Sequence, residues 1–179
     1  RLGFASAGFL GPSTTPLLVD CLERLDRSRI RTFAYSLLPA DPSATGVRMG
    51  RAFDHFVGVD QDGPAAIAQR IRDDGIDILI DLNGYTTHAR PEIFALRPAP
   101  VQINWLGYLG TLGAPWYDYV ITDRFVTPDD QHAFFTERFL ALPPCLFPSA
   151  PRPRTSPPPP PRAACGDPSP TVAPASLPP

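Results

Sequence analysis

The sequence predicts an α/β protein built on a parallel sheet. Short apolar runs of strand length recur along residues 1–142, helical segments separate several of them, and polar loops containing glycine follow them. With 179 residues and 43% hydrophobic content, the chain can bury one good core. We therefore expect one Rossmann-like domain, with helices on both faces of the sheet, followed by a tail.

The elements follow in chain order from apolar spacing and capping residues. Residues 2–5 are a strand candidate, and Thr15 as N-cap with Pro16 in the first turn predicts a helix. Pro64 begins a second helix that Gly75 ends, and the apolar run 76–82 is typical of a central strand. We predict further strands at 31–35, 55–59, 101–105, 117–121 and 139–142, and a short helix at 91–96.

The composition changes at Pro143. More than half of the 25 prolines lie in residues 143–179, which contain few large apolar residues beyond Leu146 and Phe147. Because proline lacks the backbone N–H and a polar segment cannot offset its ordering entropy, we predict a disordered or polyproline II tail. A ligand for an SH3-like domain and a translation artefact remain alternatives. The predicted domain is residues 1–142.

The charge and cysteine content exclude several function classes. The net charge is -2 and the pI about 5.9, so nucleic acid is not an expected partner. The chain has no lysine, no apolar run long enough for a membrane span and no metal-binding pattern. Cys21, Cys145 and Cys165 fit neither a disulfide framework nor a zinc site, which favours a reducing, cytoplasmic compartment. Because Arg1 stands almost within the first strand, we expect a piece of a longer protein.

Three loops after predicted strands carry candidate chemistry. The first, Gly3 to Gly11, precedes a helix whose N-terminus is a candidate anion site, but its spacing does not match the dinucleotide fingerprint. The second begins at Asp81 and combines polar groups able to grip a polar substrate, with Arg90 available for a carboxylate or phosphate and His88 in the same loop. In the third, Trp105 to Gly113, glycines at positions 107, 110 and 113 permit close approach of a ligand. The predicted substrate-binding residues are Asn83, Gly84, Tyr85, Thr86, Arg90, Gly107, Tyr108, Gly110 and Thr111.

An ordered series of motifs narrows this interpretation. It comprises Asn83-Gly-Tyr-Thr86, Ala89-Arg90, Phe94-Ala-Leu-Arg-Pro-Ala-Pro-Val-Gln102, Trp105-Leu-Gly-Tyr108, Gly110-Thr111, Gly113 and Asp118-Tyr-Val-Ile-Thr-Asp123. From Arg1 to about Pro143 the chain resembles the protein O-GlcNAc transferase family, including its SPINDLY-like and bacterial members. The resemblance implies the N-terminal lobe of a two-lobed GT-B glycosyltransferase.

That family transfers N-acetylglucosamine from UDP-GlcNAc to Ser or Thr hydroxyls of proteins, with inversion and without an obligatory metal or other cofactor. The resemblance implies that Asn83, Tyr85, Thr86 and Arg90 lie on the acceptor side, with Gly110 and Thr111 near the donor. The C-terminal lobe and the TPR repeats have no counterpart in this sequence. We therefore expect a fragment of the enzyme that is inactive alone.

The sequence departs from the family at several positions. The family's reaction-centre histidine falls at Pro12, which has no titratable group, so the catalytic residue is unknown. Gly8 stands where an aspartate is usual, Leu109 replaces a proline, and Thr87 occupies a position that is often lysine. The change at Pro12 supports an alternative, a noncatalytic sugar- or peptide-binding module. A nucleotide-binding dehydrogenase domain is a third, disfavoured by the glycine spacing.

Overall fold

The computed structural model describes residues 1–9, 14–39, 41–143 and 145–148. Its centre is a seven-stranded sheet in the order β3-β2-β1-β4-β5-β6-β7, in which every neighbouring pair is parallel. The predicted fold class is therefore confirmed. The strands are β1 (Leu2–Ser6), β2 (Thr32–Ser36), β3 (His55–Gly58), β4 (Ile78–Asp81), β5 (Val101–Asn104), β6 (Tyr119–Thr122) and β7 (Arg138–Ala141).

Helices cover both faces of the sheet. Alternate side chains of each strand point to opposite faces, which divides the core in two. Leu18 of α1 and Met49 of α2 pack with Phe4 on one face. Ile67 of α3 and Phe94 of α4 pack with other strand residues on the opposite face. The helices are α1 (Thr14–Leu22), α2 (Ala44–Arg51), α3 (Pro64–Asp73) and α4 (Pro91–Ala95), with a 3₁₀ helix η1 (Asp129–Phe134). None of these described helices is long and apolar enough to cross a membrane.

The sequence did not predict α2 or η1. The helix α2 is capped by Ser43, whose side chain accepts a hydrogen bond from the Gly46 N–H at 3.2 Å. Two glycines within its eight residues weaken the helical pattern, and this hides the element. Thr15 is not the N-cap of α1, because the helix begins at Thr14. Its buried hydroxyl instead donates to the Phe9 carbonyl at 2.6 Å.

The chain reverses its direction across the sheet between β1 and β4. From β1 it adds β2 and β3 on one side, and then it returns to add β4 and the later strands on the other. In the register, Ala5 of β1 faces Asp81 of β4, and Asp81 faces Asn104 of β5. The carboxyl ends of three adjacent strands therefore meet at the topological switch point, where open α/β sheets bind ligands.

The packed domain extends past the boundary predicted at Pro143. Leu146 is fully buried in the core that contains α1 and α2. Its N–H donates to Asp123 Oδ2 at 2.8 Å, and its carbonyl accepts from Trp105 Nε1 at 3.3 Å. N–H donors from Val126, Leu146 and Phe125 also hold the pKa of Asp123 below its usual value. The predicted disorder of residues 149–179 lies outside the described residues.

Shortening Leu146 tests this extension. Leu146→Ala should lower the free energy of unfolding by about 2–3 kcal/mol, because it removes buried methyl groups and leaves a cavity in a closed core. Urea denaturation of the purified chain measures the loss. Phe147→Ala is the matched control, because the Phe147 side chain is 38% exposed and should contribute less. Equal effects of the two changes would show that Leu146 is not packed in the core.

Candidate functional site

A cavity of about 260 Å³ lies at the switch point. The loops after β1, β4 and β5 all contribute to it, so its walls come from three separate parts of the chain. Backbone and small side chains form much of the lining, which leaves polar peptide groups close to the open space. The lining residues are Ala7, Gly8, Leu82, Asn83, Thr86, Thr87, His88 and Gly107.

Asn83 joins the loops that follow β1 and β4. Its Oδ1 accepts from the Ala7 N–H at 2.7 Å and from the Ser6 hydroxyl at 3.2 Å. Its Nδ2 donates to Thr86 Oγ1 at 3.0 Å and to the Thr87 carbonyl at 3.3 Å. A side-chain amide has two donor hydrogens and two acceptor lone pairs, and all four are used. Asn83 therefore holds the two cavity walls together.

Asp81 fixes the turn that presents Asn83. Its Oδ1 accepts from the N–H groups of Asn83 and Gly84 at 2.8 and 3.0 Å, and its Oδ2 accepts from the Tyr117 hydroxyl at 2.5 Å. Loss of water around this buried carboxyl raises the pKa of Asp81, although the three hydrogen bonds act in the opposite direction. Burial and the neighbouring Asp81 charge also raise the pKa of Tyr117. The buried Asp81–Tyr117 pair therefore stabilises the turn that places Asn83 in the cavity wall.

Gly107 lies directly against the backbone of the neighbouring loop. A Cβ at this position would lie 2.0 Å from the Leu82 carbonyl oxygen, closer than any non-bonded contact permits. The Gly107 N–H donates to the Trp105 carbonyl at 2.9 Å, and Leu106 between them has φ 76°. This is a tight three-residue turn with a left-handed central residue. It brings the loop after β5 onto the loop after β4, so only glycine fits.

Four of the predicted residues form a second group beside the cavity. Gly84 has φ 56°, and a Cβ there would lie 2.5 Å from the Tyr108 Cβ, so glycine is required for both reasons. The rings of Tyr85 and Tyr108 meet edge to face with centroids 5.7 Å apart. Asn104 Nδ2 donates to the carbonyls of Tyr108 and Gly110 at 3.0 and 3.4 Å. The third loop is therefore fixed on the end of β5.

Arg90 and Thr111 make their hydrogen bonds away from the cavity. The Arg90 guanidinium donates to the carbonyls of Asp60 and Asp62 at 2.9 and 2.8 Å, and so holds the β3–α3 turn. The Thr111 hydroxyl donates to Glu137 Oε2 at 2.7 Å. The other Glu137 oxygen accepts from the Leu112 N–H at 2.7 Å. Two sequence predictions therefore stay predictions: that Arg90 binds an anion and that Thr111 binds the sugar donor.

The structure brings together only part of the predicted set. Asn83, Thr86 and Gly107 line the cavity, whereas Gly84, Tyr85, Tyr108 and Gly110 lie beside it. The sequence did not predict the buried Glu137, since nothing in its local pattern connects it with a loop far away in the chain. Pro12 and the candidate anion site before α1 lie outside the described residues. No cluster of three or more metal-ligating side chains is present in the described part of the chain.

The sequence was compared with models of known protein families. The model described as Glycosyl transferase family 41 matches residues 1–150. The chain belongs to this family. Its switch-point cavity, its Asp81–Tyr117 pair and all of its described core therefore fall within the family 41 match.

Individual relatives agree with this assignment. The chain is 41% identical over 150 residues to the UDP-N-acetylglucosamine–peptide N-acetylglucosaminyltransferase of Caenorhabditis elegans, a match that covers 82% of this chain and 13% of that protein. It is 32% identical over 162 residues to the probable enzyme of that name, SPINDLY, of Arabidopsis thaliana, covering 87% and 17%. A mutant of the Thermobaculum terrenum O-GlcNAc transferase has TM-score 0.81 and 31% identity, covering 86% of this chain and 29% of that one. The family 41 chain thus spans a small part of each relative.

Proposed function

We propose that this family 41 chain is one part of a UDP-GlcNAc–peptide N-acetylglucosaminyltransferase and that the switch-point cavity holds the reacting groups. The observation that carries the proposal is the position of this cavity, where the loops after β1, β4 and β5 converge. The names of the two relatives supply the donor and the acceptor class. The nucleotide sugar is a substrate in this proposal and not a cofactor, and the proposal names no metal ion.

In the proposed reaction, an acceptor hydroxyl attacks the anomeric carbon of N-acetylglucosamine as the bond to UDP breaks, which inverts that carbon. The proton of the hydroxyl passes to water or to the departing UDP. Such a displacement depends on alignment of the hydroxyl with the leaving group. The rigid cavity suits this task, because Asn83 locks the loops after β1 and β4 and Gly107 seats the loop after β5 on them. Parts of the enzyme beyond this chain would stabilise the departing diphosphate.

A noncatalytic sugar- or peptide-binding module is the second candidate. The observation in its favour is Pro12, which stands where the resemblance places the family's reaction-centre histidine and has no titratable group to move a proton. Such a module would bind a sugar or peptide without transferring anything. A cytoplasmic location remains a prediction under either proposal.

Transfer assays distinguish these candidates. We expect the 179-residue chain alone to show no detectable transfer of labelled N-acetylglucosamine from UDP-GlcNAc to a peptide. A hybrid in which residues 1–148 replace the matching region of the Thermobaculum terrenum O-GlcNAc transferase should regain transfer, because the fold of that region is the same. The unaltered bacterial enzyme is the positive control.

The outcomes separate clearly. Robust turnover by the purified chain alone would contradict its assignment as one part of a larger site. A hybrid that folds and binds UDP-GlcNAc but transfers nothing would favour the binding module. Circular dichroism and a cooperative thermal transition show whether the hybrid is folded, so a misfolded product is recognised before activity is interpreted.

A further inference from the structure

The hydrogen-bonding capacity of the cavity walls is unevenly used. Asn83 uses all four of its side-chain positions within the domain. The Thr86 hydroxyl donates to the Asn83 carbonyl at 2.9 Å and accepts from Asn83 Nδ2, so one lone pair remains. Ala7, Gly8, Leu82 and Gly107 have no polar side-chain atoms. Two lining side chains, those of Thr87 and His88, make no hydrogen bond to any residue that the structure describes.

His88 differs from the other lining residues in two ways. It is the one ionisable side chain in the described lining, and its imidazole offers both a donor and an acceptor when neutral. Its backbone has φ 62°, a conformation that residues with a Cβ seldom adopt. A strained conformation persists only where the surrounding structure enforces it.

Neighbouring hydrogen bonds enforce this conformation. Asn83 Nδ2 binds the Thr87 carbonyl, which belongs to the peptide group immediately before His88. The Ala89 N–H donates to the Thr86 carbonyl at 3.1 Å and closes a turn around His88. Arg90 then binds the carbonyls of the β3–α3 turn. The backbone is thus held on both sides of an exposed imidazole at the cavity.

From this arrangement we infer that His88 is a ligand-binding residue, whose imidazole hydrogen-bonds a hydroxyl of the N-acetylglucosamine group. The inference rests on the proposed function for the identity of the ligand. Polar groups that already hydrogen-bond within the domain are not free to bind a sugar. Binding by the lining residues of the loop after β4 therefore depends on Thr87 and His88. Thr87 supplies a second hydroxyl beside the imidazole. Asn83 acts indirectly, because it sets the peptide that orients His88.

The three histidines of the chain permit a direct test. His55 stacks on Phe33 with ring centroids 4.4 Å apart, and His132 stacks on Phe139 at 4.0 Å, so both have other partners and do not line the cavity. Proton NMR of the purified chain resolves imidazole signals, which single His→Asn variants assign. On addition of UDP-GlcNAc, the His88 signals should shift in a saturable way while those of His55 and His132 stay in place.

Affinity provides the second readout. His88→Asn removes the imidazole but keeps a residue that tolerates the left-handed conformation, so the fold should be retained. It should weaken UDP-GlcNAc binding about five- to tenfold, the effect of one hydrogen bond. His132→Asn is the matched control and should leave affinity unchanged.

Each result is informative. Shifts of the Ala7 and Gly8 amides without movement of the His88 ring would overturn the inference and leave the proposed function standing. An unchanged affinity of His88→Asn would overturn it equally. If no signal moves up to the solubility of UDP-GlcNAc, both the inference and the proposed binding of donor by this chain fail.

Discussion

Gly107→Ala should destabilise the chain on the order of 4 kcal/mol or more, because the added Cβ clashes severely with the backbone. The added Cβ would lie 2.0 Å from the Leu82 carbonyl oxygen and 3.0 Å from its carbonyl carbon. Both atoms belong to the backbone, so no rotation of a side chain relieves the contact. The loops after β4 and β5 must move apart, and the switch-point cavity changes with them. Urea denaturation measures the loss.

Gly50→Ala is the control for this change. Gly50 lies in α2, and a Cβ there would meet no atom within 4 Å. Alanine is favoured over glycine in a helix by about 0.5–1 kcal/mol, so the control should be neutral or slightly stabilising. If Gly107→Ala is tolerated as well as Gly50→Ala, the close approach of the two loops does not exist.

Asp81→Ala should cost about 3–5 kcal/mol. It removes the acceptor of three buried donors, namely the Tyr117 hydroxyl and the N–H groups of Asn83 and Gly84. Each buried donor left without a partner costs about 1–3 kcal/mol, and partial entry of water reduces the sum. Denaturation experiments measure the total. Asp77→Ala is the matched control, because Asp77 is largely exposed and its ion pair with the chain terminus should contribute little.

The Asp81 carboxyl also predicts a direction of pH dependence. Burial raises its pKa above the ordinary value of 3.8, so the folded chain binds this proton more tightly than the unfolded chain does. Ionisation of Asp81 therefore costs stability as pH rises from the unfolded pKa through the folded one. Asp81→Asn stays neutral throughout.

The difference in unfolding free energy, variant minus parent, isolates this group. Carboxyls with lowered pKa values, such as Asp54 and Asp123, make both proteins more stable as pH rises, and their effect cancels in the difference. We expect the difference to become more favourable to Asp81→Asn as pH rises from about 4 toward neutrality. A difference that becomes less favourable would show that the folded protein prefers the ionised carboxylate.

The architecture could be predicted from sequence because the apolar strand pattern and the loop residues act locally. Some residue types indicate the local backbone conformation directly. Gly84, which follows a polar residue, adopts a positive φ, and Pro64 and Pro91 each begin a helix. The helix α2 was missed because its N-cap at Ser43 is followed by glycines. The low helix propensity of these glycines disfavours a helix, whereas the packing of Met49 in the core favours it.

Residue type alone could not predict which polar side chains of the site are free to bind a ligand and which bind other parts of the domain. Arg90, Thr111 and Tyr85 have groups suited to a ligand, yet each binds another part of the domain. Those partners, such as Glu137, are distant in sequence and become neighbours only through the topology. The burial of Leu146 could not be predicted for the same reason. The high proline content describes the local segment, whereas the core residues that bury Leu146 are distant in sequence.

One measurement tests the central claim, that the switch-point cavity is the ligand site of this family 41 chain. Amide chemical shifts of the labelled chain are recorded while UDP-GlcNAc is added. We predict that the largest changes occur at the residues that line this cavity, among them Gly8, Thr87 and His88. A second cavity of about 370 Å³, lined by Arg124, Ala141, Leu142 and Pro143, is the structural competitor. Changes centred there, with the switch-point amides unmoved, would contradict the account.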